Sequence, residues 1–500
     1  MMTEAQALNA LAREDPEAAD EAKAALSWLT NGAGLETVSQ LKLQEFVWYA
    51  LPVKWPMTTG ELIAVTRALG RLFSMLGMER YADVCMCPGT EGILTAYGDG
   101  HEAGIAAYAE AVENSSTAPS DTGLLVWGSV MGPDERAAYD ACAAAIELAI
   151  ASGELPAGSR GWRAKRSALI DRWLTAPPPA RDGAGGWNDP ARGHPAGGRP
   201  AGEGRSQPGR HRAGAHHTPG ASGTWLARIH TERMDAWANS RPGERSRLAA
   251  AVLPRLLEEA GAPDDALPTL GWLLGHADLG LRLTARHYIP PALVTESVDM
   301  FGWREQLAGA LKQELDVFPL HTLRGLAQGE MGAIRRSGTS LVLTRTGRLM
   351  TEDREARWQI GTAALIGADD GTRPDFAVAV REAGLLFLLV SGPAGYEELT
   401  RHLTRIHTEE GWTSRGGLSD AVRREIHGLR HRLWALHLLY TGRASREPLT
   451  LTETGVQAAL SALRARARGP RHHVGLGLPA EAGYGEAIVT GPATPGRRPG

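Results

Sequence analysis

Apolar side chains recur at three- and four-residue spacing through most of the first 175 residues, which is the period of an amphipathic helix. The clearest apolar face lies between Leu62 and Leu76. Thr58 and Glu61 offer a capping box where this helix would begin. Asn31-Gly32 would end an earlier helix near residues 19–29, because both residue types accept the left-handed conformation of a C-terminal cap.

Further helices are expected at about residues 36–50, 101–113, 134–152 and 162–174. No segment of this half alternates between apolar and polar residues as a half-buried strand does. The pattern therefore predicts an all-helical domain over residues 17–175. We expect its aromatic core to contain Phe46, Trp48, Tyr49 and Trp55.

Two stretches of the chain have little to bury. Residues 176–223 contain 12 Gly and 8 Pro in 48 positions and no Val, Ile, Leu, Met or Phe. Ordering such a segment costs backbone entropy that no burial offsets, so the composition predicts a disordered linker. Residues 469–500 share this Gly, Pro and Arg character and are predicted to form a disordered tail. A second domain would then cover residues 224–468.

A short pattern, Leu-x-Leu-Thr, recurs three times in that second domain, at residues 281–284, 341–344 and 449–452. Leu-x-Leu has the two-residue period of a half-buried strand. The Thr that follows can accept from the first free N–H groups of a helix. Each copy therefore predicts a strand that runs directly into a capped helix.

The residues before the second copy extend this pattern into a larger unit. Ser337-Gly338 can turn a hairpin over residues 333–344, which would display Arg335 and Arg336. Upstream, a helix is expected over residues 319–331, and the third copy follows a comparable helix over residues 421–440. The first of these helices has two faces, an apolar one with Leu320, Leu323 and Leu326 and a polar one with His321, Arg324 and Gln328.

A helix, an arginine-rich hairpin and a capped helix in this order are typical of winged-helix units. The predicted fold class is therefore mainly α: an N-terminal helical bundle, a long linker, and a C-terminal helical region with winged-helix-like units that carry short β-hairpins.

Four stretches of the chain, at residues 43–55, 147–166, 281–294 and 341–358, carry a resemblance to a known family. Here the chain resembles a family of conserved hypothetical proteins of high-GC bacteria, some of which carry a plasmid ORF-3-like domain. The resemblance covers most of residues 20–465, interrupted by the linker. His287 stands where the family favours Gly. The resemblance implies the architecture and brings no active site with it.

Charge is unevenly distributed along the chain. Residues 1–180 carry 13 basic and 23 acidic side chains, whereas residues 421–500 carry 12 Arg against 5 Glu. A concentrated basic region is typical of nucleic-acid binding, although residues 224–468 sum to only about +2. The longest apolar run, residues 385–390, is far shorter than the ~20 residues that cross a bilayer. Three cysteines are too few for a disulfide framework, so we expect a cytoplasmic protein without a membrane span.

The enzymatic interpretations are weak. Gly275, His276 and Tyr288 resemble the end of a tyrosine recombinase, whose Tyr attacks the scissile phosphate. The interval of 12 residues to the Tyr is longer than usual, and 212 residues follow Tyr288. The recombinase remains a remote alternative, and we predict no catalytic residue.

Metal and cofactor sites are likewise not expected. Cys85, Cys87, His101 and Cys142 are soft ligands in poor chelate spacing. His427 and His431 lie one helical turn apart among arginines, which would repel a cation. Gly392-Pro-Ala-Gly395 lacks the Gly-Lys-Ser/Thr sequence that completes a phosphate loop.

Two hypotheses remain for the function. In the first, a DNA-associated regulatory protein contacts double-stranded DNA through the hairpin residues Arg335 and Arg336 and the helix residues His321, Arg324 and Gln328. In the second, the winged-helix-like units are packing modules of a protein-interaction scaffold. Both are non-enzymatic, and the sequence gives neither the partner nor the oligomeric state.

Overall fold

The computed structural model describes residues 2–156, 158–178, 223–240, 243–258, 260–367, 375–440, 448–471 and 488–489. It divides into two compact units. Unit 1 comprises residues 1–125 and 134–228, and unit 2 comprises residues 126–133 and 229–500. Nearly all of the predicted linker and most of the predicted tail lie outside the described residues, so their disorder stays a prediction. Within the described residues, no helix is long and apolar enough to span a membrane.

Unit 1 is helical wherever it has regular secondary structure. Its helices are α1 (Glu4–Glu14), α2 (Pro16–Thr30), α3 (Gln40–Glu45), α4 (Leu51–Lys54), α5 (Thr59–Met75), α6 (Glu79–Met86), α7 (Pro88–Asp99), α8 (His101–Glu113), α9 (Pro133–Ala151) and α10 (Trp162–Leu174). A 3₁₀ turn (Leu35–Thr37) precedes α3, and a π-helical turn (Phe46–Ala50) joins α3 to α4.

The predicted helix ends are confirmed in this unit. Thr58 and Glu61 form a reciprocal capping box at the start of α5. Asn31 closes α2 in the left-handed conformation, with φ of 52°. The predicted all-helical character holds for the described residues of this unit, because its regular elements are all helices. Helices α8, α9 and α10 also lie within one residue of their predicted bounds.

The aromatic core was predicted only in part. Phe46 and Trp48 are buried, and Trp55 packs half-buried at the edge of the core. Tyr49 is 39% exposed and was wrongly placed in the core. Consecutive residues of a helix point about 100° apart, so these neighbouring rings cannot all face inward. The single helix that was predicted over residues 36–50 is also divided, because residues 38–39 are not helical and separate the 3₁₀ turn from α3.

Unit 2 combines helices with short strands. The helices are α11 (Trp225–Asn239), which begins in unit 1, α12 (Gly243–Leu257), α13 (Pro268–Asp278), α14 (Pro291–Met300), α15 (Trp303–Gln306), α16 (Phe318–Gln328), α17 (Arg345–Glu352), α18 (Arg354–Ala363), α19 (Phe376–Ser391), α20 (Tyr396–Glu409), α21 (Leu418–Ala435) and α22 (Glu453–Arg468). The strands are β1 (Leu281–Arg282), β2 (Ile334–Ser337), β3 (Ser340–Leu343), β4 (Thr413–Ser414), β5 (Leu439–Tyr440), β6 (Thr450–Leu451) and β7 (Ile488–Val489), and a 3₁₀ turn (Glu314–Asp316) precedes α16.

The longest strands form the predicted hairpin. Strands β2 and β3 are antiparallel, with Ile334 opposite Leu343 and Ser337 opposite Ser340. Gly338 turns the chain with φ of 59°, a value that favours glycine. Strand β1 pairs with the other edge of β3, which gives a three-stranded antiparallel sheet in the order β1-β3-β2.

A second segment of unit 2 repeats this construction. Strands β5 and β6 are antiparallel, with Leu439 opposite Leu451, and Ala394 forms a bridge to Leu449. Thr344 and Thr452 each cap the helix that follows by accepting from a glycine N–H, at Gly347 and at Gly455. The prediction of a strand that runs into a capped helix is confirmed for these two copies. The predicted helix over residues 421–440 ends earlier, at Ala435, and its last two residues are strand β5.

The first copy of the pattern differs. Thr284 follows β1, but residues 285–287 form a turn and the next helix, α14, begins only at Pro291. The predicted direct passage from strand to helix is therefore wrong here. Pro290 and Pro291 disfavour helical backbone in the residues that precede them. His287 adopts φ of 63°, which explains why glycine would suit this position.

Residues 126–133 belong to unit 2, although in the sequence they lie between α8 and the main part of α9, which belong to unit 1. Arg233 is almost fully buried and donates from its two terminal nitrogens to the carbonyl oxygens of Val126 and Arg468. The backbone N–H of Val130 donates to Arg471. The arginine thus holds this segment against the end of α22.

Candidate nucleic-acid interface

The β2–β3 hairpin presents its two arginines to solvent. Arg335 lies opposite Val342 and Arg336 opposite Leu341, and both are exposed. Ile334 and Leu343 are buried and fix the hairpin to the core. Neither arginine side chain forms an ion pair or a hydrogen bond within the part of the chain that the structure describes. Their guanidinium donors are therefore available to an external acceptor.

Four further arginines lie on segments next to the hairpin, namely β1, the turn that follows it, and α17. Arg282 is opposite Ser340, and Ser340 is two residues from Val342 on β3. Side chains two residues apart in a strand share a face, so Arg282 and Arg335 project from the same solvent-facing side of the sheet. Arg286, Arg345 and Arg348 are also exposed. No ion pair to these four additional arginines occurs among the described residues.

Of these six arginines, only Arg335 and Arg336 were predicted from the sequence. The alternation in Leu281-Arg282-Leu283 could have identified Arg282, because two buried leucines place the residue between them on the outer face. Arg286 lies in the turn after β1, and Arg345 and Arg348 lie in the first turn of α17. At such positions the pattern of apolar and polar residues does not show which way a side chain points.

Helix α16 buries its apolar face as predicted, with Leu320, Leu323 and Leu326 in the core. Its polar face surrounds Glu314, whose side chain is fully buried. Arg324 donates to Glu314 Oε2 at 2.8 Å, and His321 Nδ1 lies 2.9 Å from Oε1. The backbone N–H of Ile289 donates to the same carboxylate at 2.7 Å. Three partners thus compensate the buried charge.

Arg324 is engaged within the protein through Nε and one terminal nitrogen. Besides Glu314, it donates to the carbonyl of His287 and, through Nε, to Gln328 Oε1. Only 13% of its side chain is exposed. The structure therefore brings His321, Arg324 and Gln328 together as predicted, but around an internal carboxylate. Of the three arginines in the predicted set, Arg335 and Arg336 have no side-chain acceptor among the described residues, whereas Arg324 has three.

Helix α16 also packs against α21. The ring of Phe318 lies 4.6 Å from Trp434 and 4.7 Å from His431. Arg432 of α21 pairs with Glu330 just beyond α16 and donates to the carbonyl of Ala364. Burial lowers the pKa of His431, and His427 and Arg430 lower it further. These contacts cover the beginning and the end of α16 with residues from the C-terminal part of α21.

The residues of the enzymatic alternative are dispersed. His276 lies on α13, next to Trp272 and 3.3 Å from Glu296, whereas Tyr288 lies in the loop before α14. Trp272 donates to the same Glu296 oxygen at 2.8 Å and, as the largest cause, lowers the pKa of that carboxyl. The carboxylate thus binds His276 on the protein surface.

The candidate metal ligands are also separated by secondary structure. Cys85 lies in the last turn of α6, Cys87 precedes α7, His101 begins α8 and Cys142 lies within α9. Cys85 and Cys142 are buried, and burial raises the pKa of Cys142 to about 12. The ring of His427 lies 4.6 Å from that of Tyr396, and the ring of His431 lies 4.7 Å from that of Phe318 and 6.0 Å from that of His427. Within the described ranges, no three His, Cys, Asp or Glu residues form a metal-binding group.

The chain has no match among protein-family models, among curated proteins or among solved structures.

Proposed function

We propose that unit 2 is a DNA-associated module in which the β2–β3 hairpin contacts the phosphate backbone. The topology supports a winged-helix interpretation: α13, β1, α14 and α16 precede the hairpin, and the sheet order is β1-β3-β2. The segment from α19 to β6 has the same order of elements, with the Ala394–Leu449 bridge in the place of β1 pairing. In this interpretation unit 2 contains two such modules.

The observation that carries the proposal is the set of exposed arginines without an internal acceptor. Arg335, Arg336 and Arg282 lie on one small sheet, and no carboxylate pairs with them among the described residues. Arginines of this kind bind phosphate oxygens through charge-assisted hydrogen bonds. Since the polar face of α16 binds Glu314, the proposed contact reads the DNA backbone and not the base sequence.

A salt titration of binding to generic duplex DNA tests the proposal. Fluorescence anisotropy would compare the wild-type chain with R335A/R336A. The variant should bind all duplexes more weakly, and the slope of log K against log salt should fall by up to roughly 2, about one per lost phosphate contact. Its melting temperature should stay nearly constant, because exposed substitutions usually change stability by no more than about 0.5 kcal/mol.

The matched control is R160A/R163A, which removes the same charge from exposed positions of unit 1. Its slope should equal that of the wild type. Leu343→Asp is the contrasting variant, because an unpaired carboxylate at this buried position should unfold the hairpin. Equal DNA binding by wild type and R335A/R336A, or no salt-dependent binding of any duplex, would reject the proposal.

A second candidate function is a protein-interaction scaffold. The observation in its favour is the packing of α16 on α21. These two helices occupy corresponding places in the two proposed modules, and each contacts the other. Such modules would serve as packing units. Absence of DNA binding in the titration above, with a folded chain, would make this the leading hypothesis.

A further inference from the structure

Helices α20 and α21 line an open groove of about 280 Å³ on the surface of unit 2. It is lined by Glu397, Thr400, Arg401, Thr404, Ser419 and Arg423. All six residues are polar or charged, so the groove offers hydrogen-bonding groups to a hydrophilic ligand. None of them belongs to the β2–β3 hairpin or to α16.

The two arginines retain donors that the protein does not use. Arg401 is exposed, and its side chain has no ion pair or hydrogen bond with any part of the chain described by the structure. Arg423 donates from one terminal nitrogen to Glu397 at 3.1 Å, while its Nε lacks an acceptor. Because Glu397 is 66% exposed, this ion pair is of the weak surface type, and an anion with higher charge can displace it.

Other groups of the groove set its polarity. Thr400 and Thr404 donate their hydroxyl hydrogens to backbone carbonyls of α20, at Tyr396 and Thr400, so they shape the wall without offering a proton to a ligand. Ser419 lies in the first turn of α21, and the cap residue Gly417 makes no side-chain bond there. Burial, and then the charges of Arg430 and Arg423, lower the pKa of the nearby His427.

We propose that the α20–α21 groove binds a phosphate group between the guanidinium groups of Arg401 and Arg423, with the Ser419 hydroxyl as a third donor. Two guanidinium groups match the tetrahedral oxygens of phosphate through charge-assisted hydrogen bonds. The site goes beyond the proposed function, since it shares no residue with the hairpin surface. The phosphate can come from free phosphate or from a nucleic-acid backbone.

Isothermal titration of the full chain with inorganic phosphate, in a chloride buffer of constant ionic strength, measures the free anion. The same proteins are then titrated with generic duplex DNA over a range of salt. The variants are R401A/R423A, R335A/R336A and the charge-matched control R160A/R163A. Circular dichroism shows whether each variant is folded, and R401K/R423K keeps the charge while removing the planar donor pairs.

If the groove accepts free phosphate, R401A/R423A should weaken phosphate binding by at least roughly tenfold, with R335A/R336A and R160A/R163A unchanged. If it accepts the nucleic-acid backbone, R401A/R423A should lower the salt slope of DNA binding by up to roughly 2. R401K/R423K should retain only part of either binding. A folded R401A/R423A that binds both ligands as the wild type does, or a wild-type chain that binds neither, overturns the proposal. If R335A/R336A binds DNA as the wild type does while R401A/R423A shows one of the losses above, the hairpin function is rejected and the groove proposal is supported.

Discussion

Gly347→Ala provides a sharp test of the packing between the hairpin and α17. Gly347 is the third residue of α17, and an added Cβ would lie 2.0 Å from the carbonyl oxygen of Ala333 and 3.0 Å from Leu343 Cδ2. That carbonyl cannot move freely. It accepts from the backbone N–H of Thr344 at 2.9 Å and from the Thr344 hydroxyl at 3.1 Å. The neighbouring N–H of Ala333 donates to Ala327 at 2.8 Å.

The expected destabilisation follows from these contacts. Overpacking against rigid atoms costs roughly 1–3 kcal/mol. A shift of α17 that relieves the clash would weaken the Thr344 cap, which contributes roughly 1 kcal/mol. Alanine favours the helix over glycine by about 1 kcal/mol, which acts in the opposite direction. We therefore expect Gly347→Ala to lower the free energy of unfolding of unit 2 by about 1–3 kcal/mol. Gly455→Ala should behave alike, since its Cβ would lie 2.1 Å from the Leu438 oxygen.

Urea denaturation followed by circular dichroism measures this effect. The matched control is Gly325→Ala in the exposed part of α16, where a Cβ would meet no atom within 4 Å. This control should raise stability by up to about 1 kcal/mol, through helix propensity alone. A Gly347→Ala midpoint at or above that of the wild type would show that the close approach of α17 to Ala333 is incorrect.

Two further predictions concern buried ionisable groups. Glu314→Ala leaves the Ile289 N–H, His321 and Arg324 without their acceptor. Urea denaturation should therefore show a free energy of unfolding of unit 2 that is lower by about 3 kcal/mol. The exposed Glu398→Ala serves as the control and should show no such loss. Burial, and then the charge of Arg245, lower the pKa of His407 to about 4. The unfolded chain therefore takes up this proton first, and roughly 3 kcal/mol of stability that is present above pH 6.5 should be lost as the pH falls towards 4. His407→Gln should flatten this part of the stability profile, and an unchanged profile would exclude His407 as its source.

Local signals in the sequence were sufficient for the helix ends and the hairpin. Thr58 and Glu61 satisfy free N–H groups within one helical turn, so their pairing depends on no distant residue. The Ser337-Gly338 turn likewise needs only a residue that tolerates positive φ between two short alternating segments. Such interactions are encoded by residues three or four positions apart, and a single sequence therefore predicts them well.

The role of the α16 polar face depended on tertiary contacts. Glu314 is 10 residues before Arg324 and 25 residues after Ile289, and no periodic pattern joins these three positions. The sequence identified His321, Arg324 and Gln328 as a polar face but could not show that a buried carboxylate lies against it. The covering of Phe318 by α21 likewise depends on residues more than 100 positions away.

The three copies of Leu-x-Leu-Thr show which residue lets a strand continue into a helix. In the second and third copies, a glycine three residues after the Thr approaches a carbonyl oxygen so closely that no side chain fits. The first copy has His287 at this position, and there the chain makes a turn with positive φ before α14. Thr284 still accepts from the N–H of Tyr288, so the capping hydroxyl is retained in all three copies. The threonine therefore closes the strand in each case, while the glycine lets the helix pack directly against it in the second and third copies. In the first copy, Pro290 and Pro291 additionally disfavour helical backbone before α14.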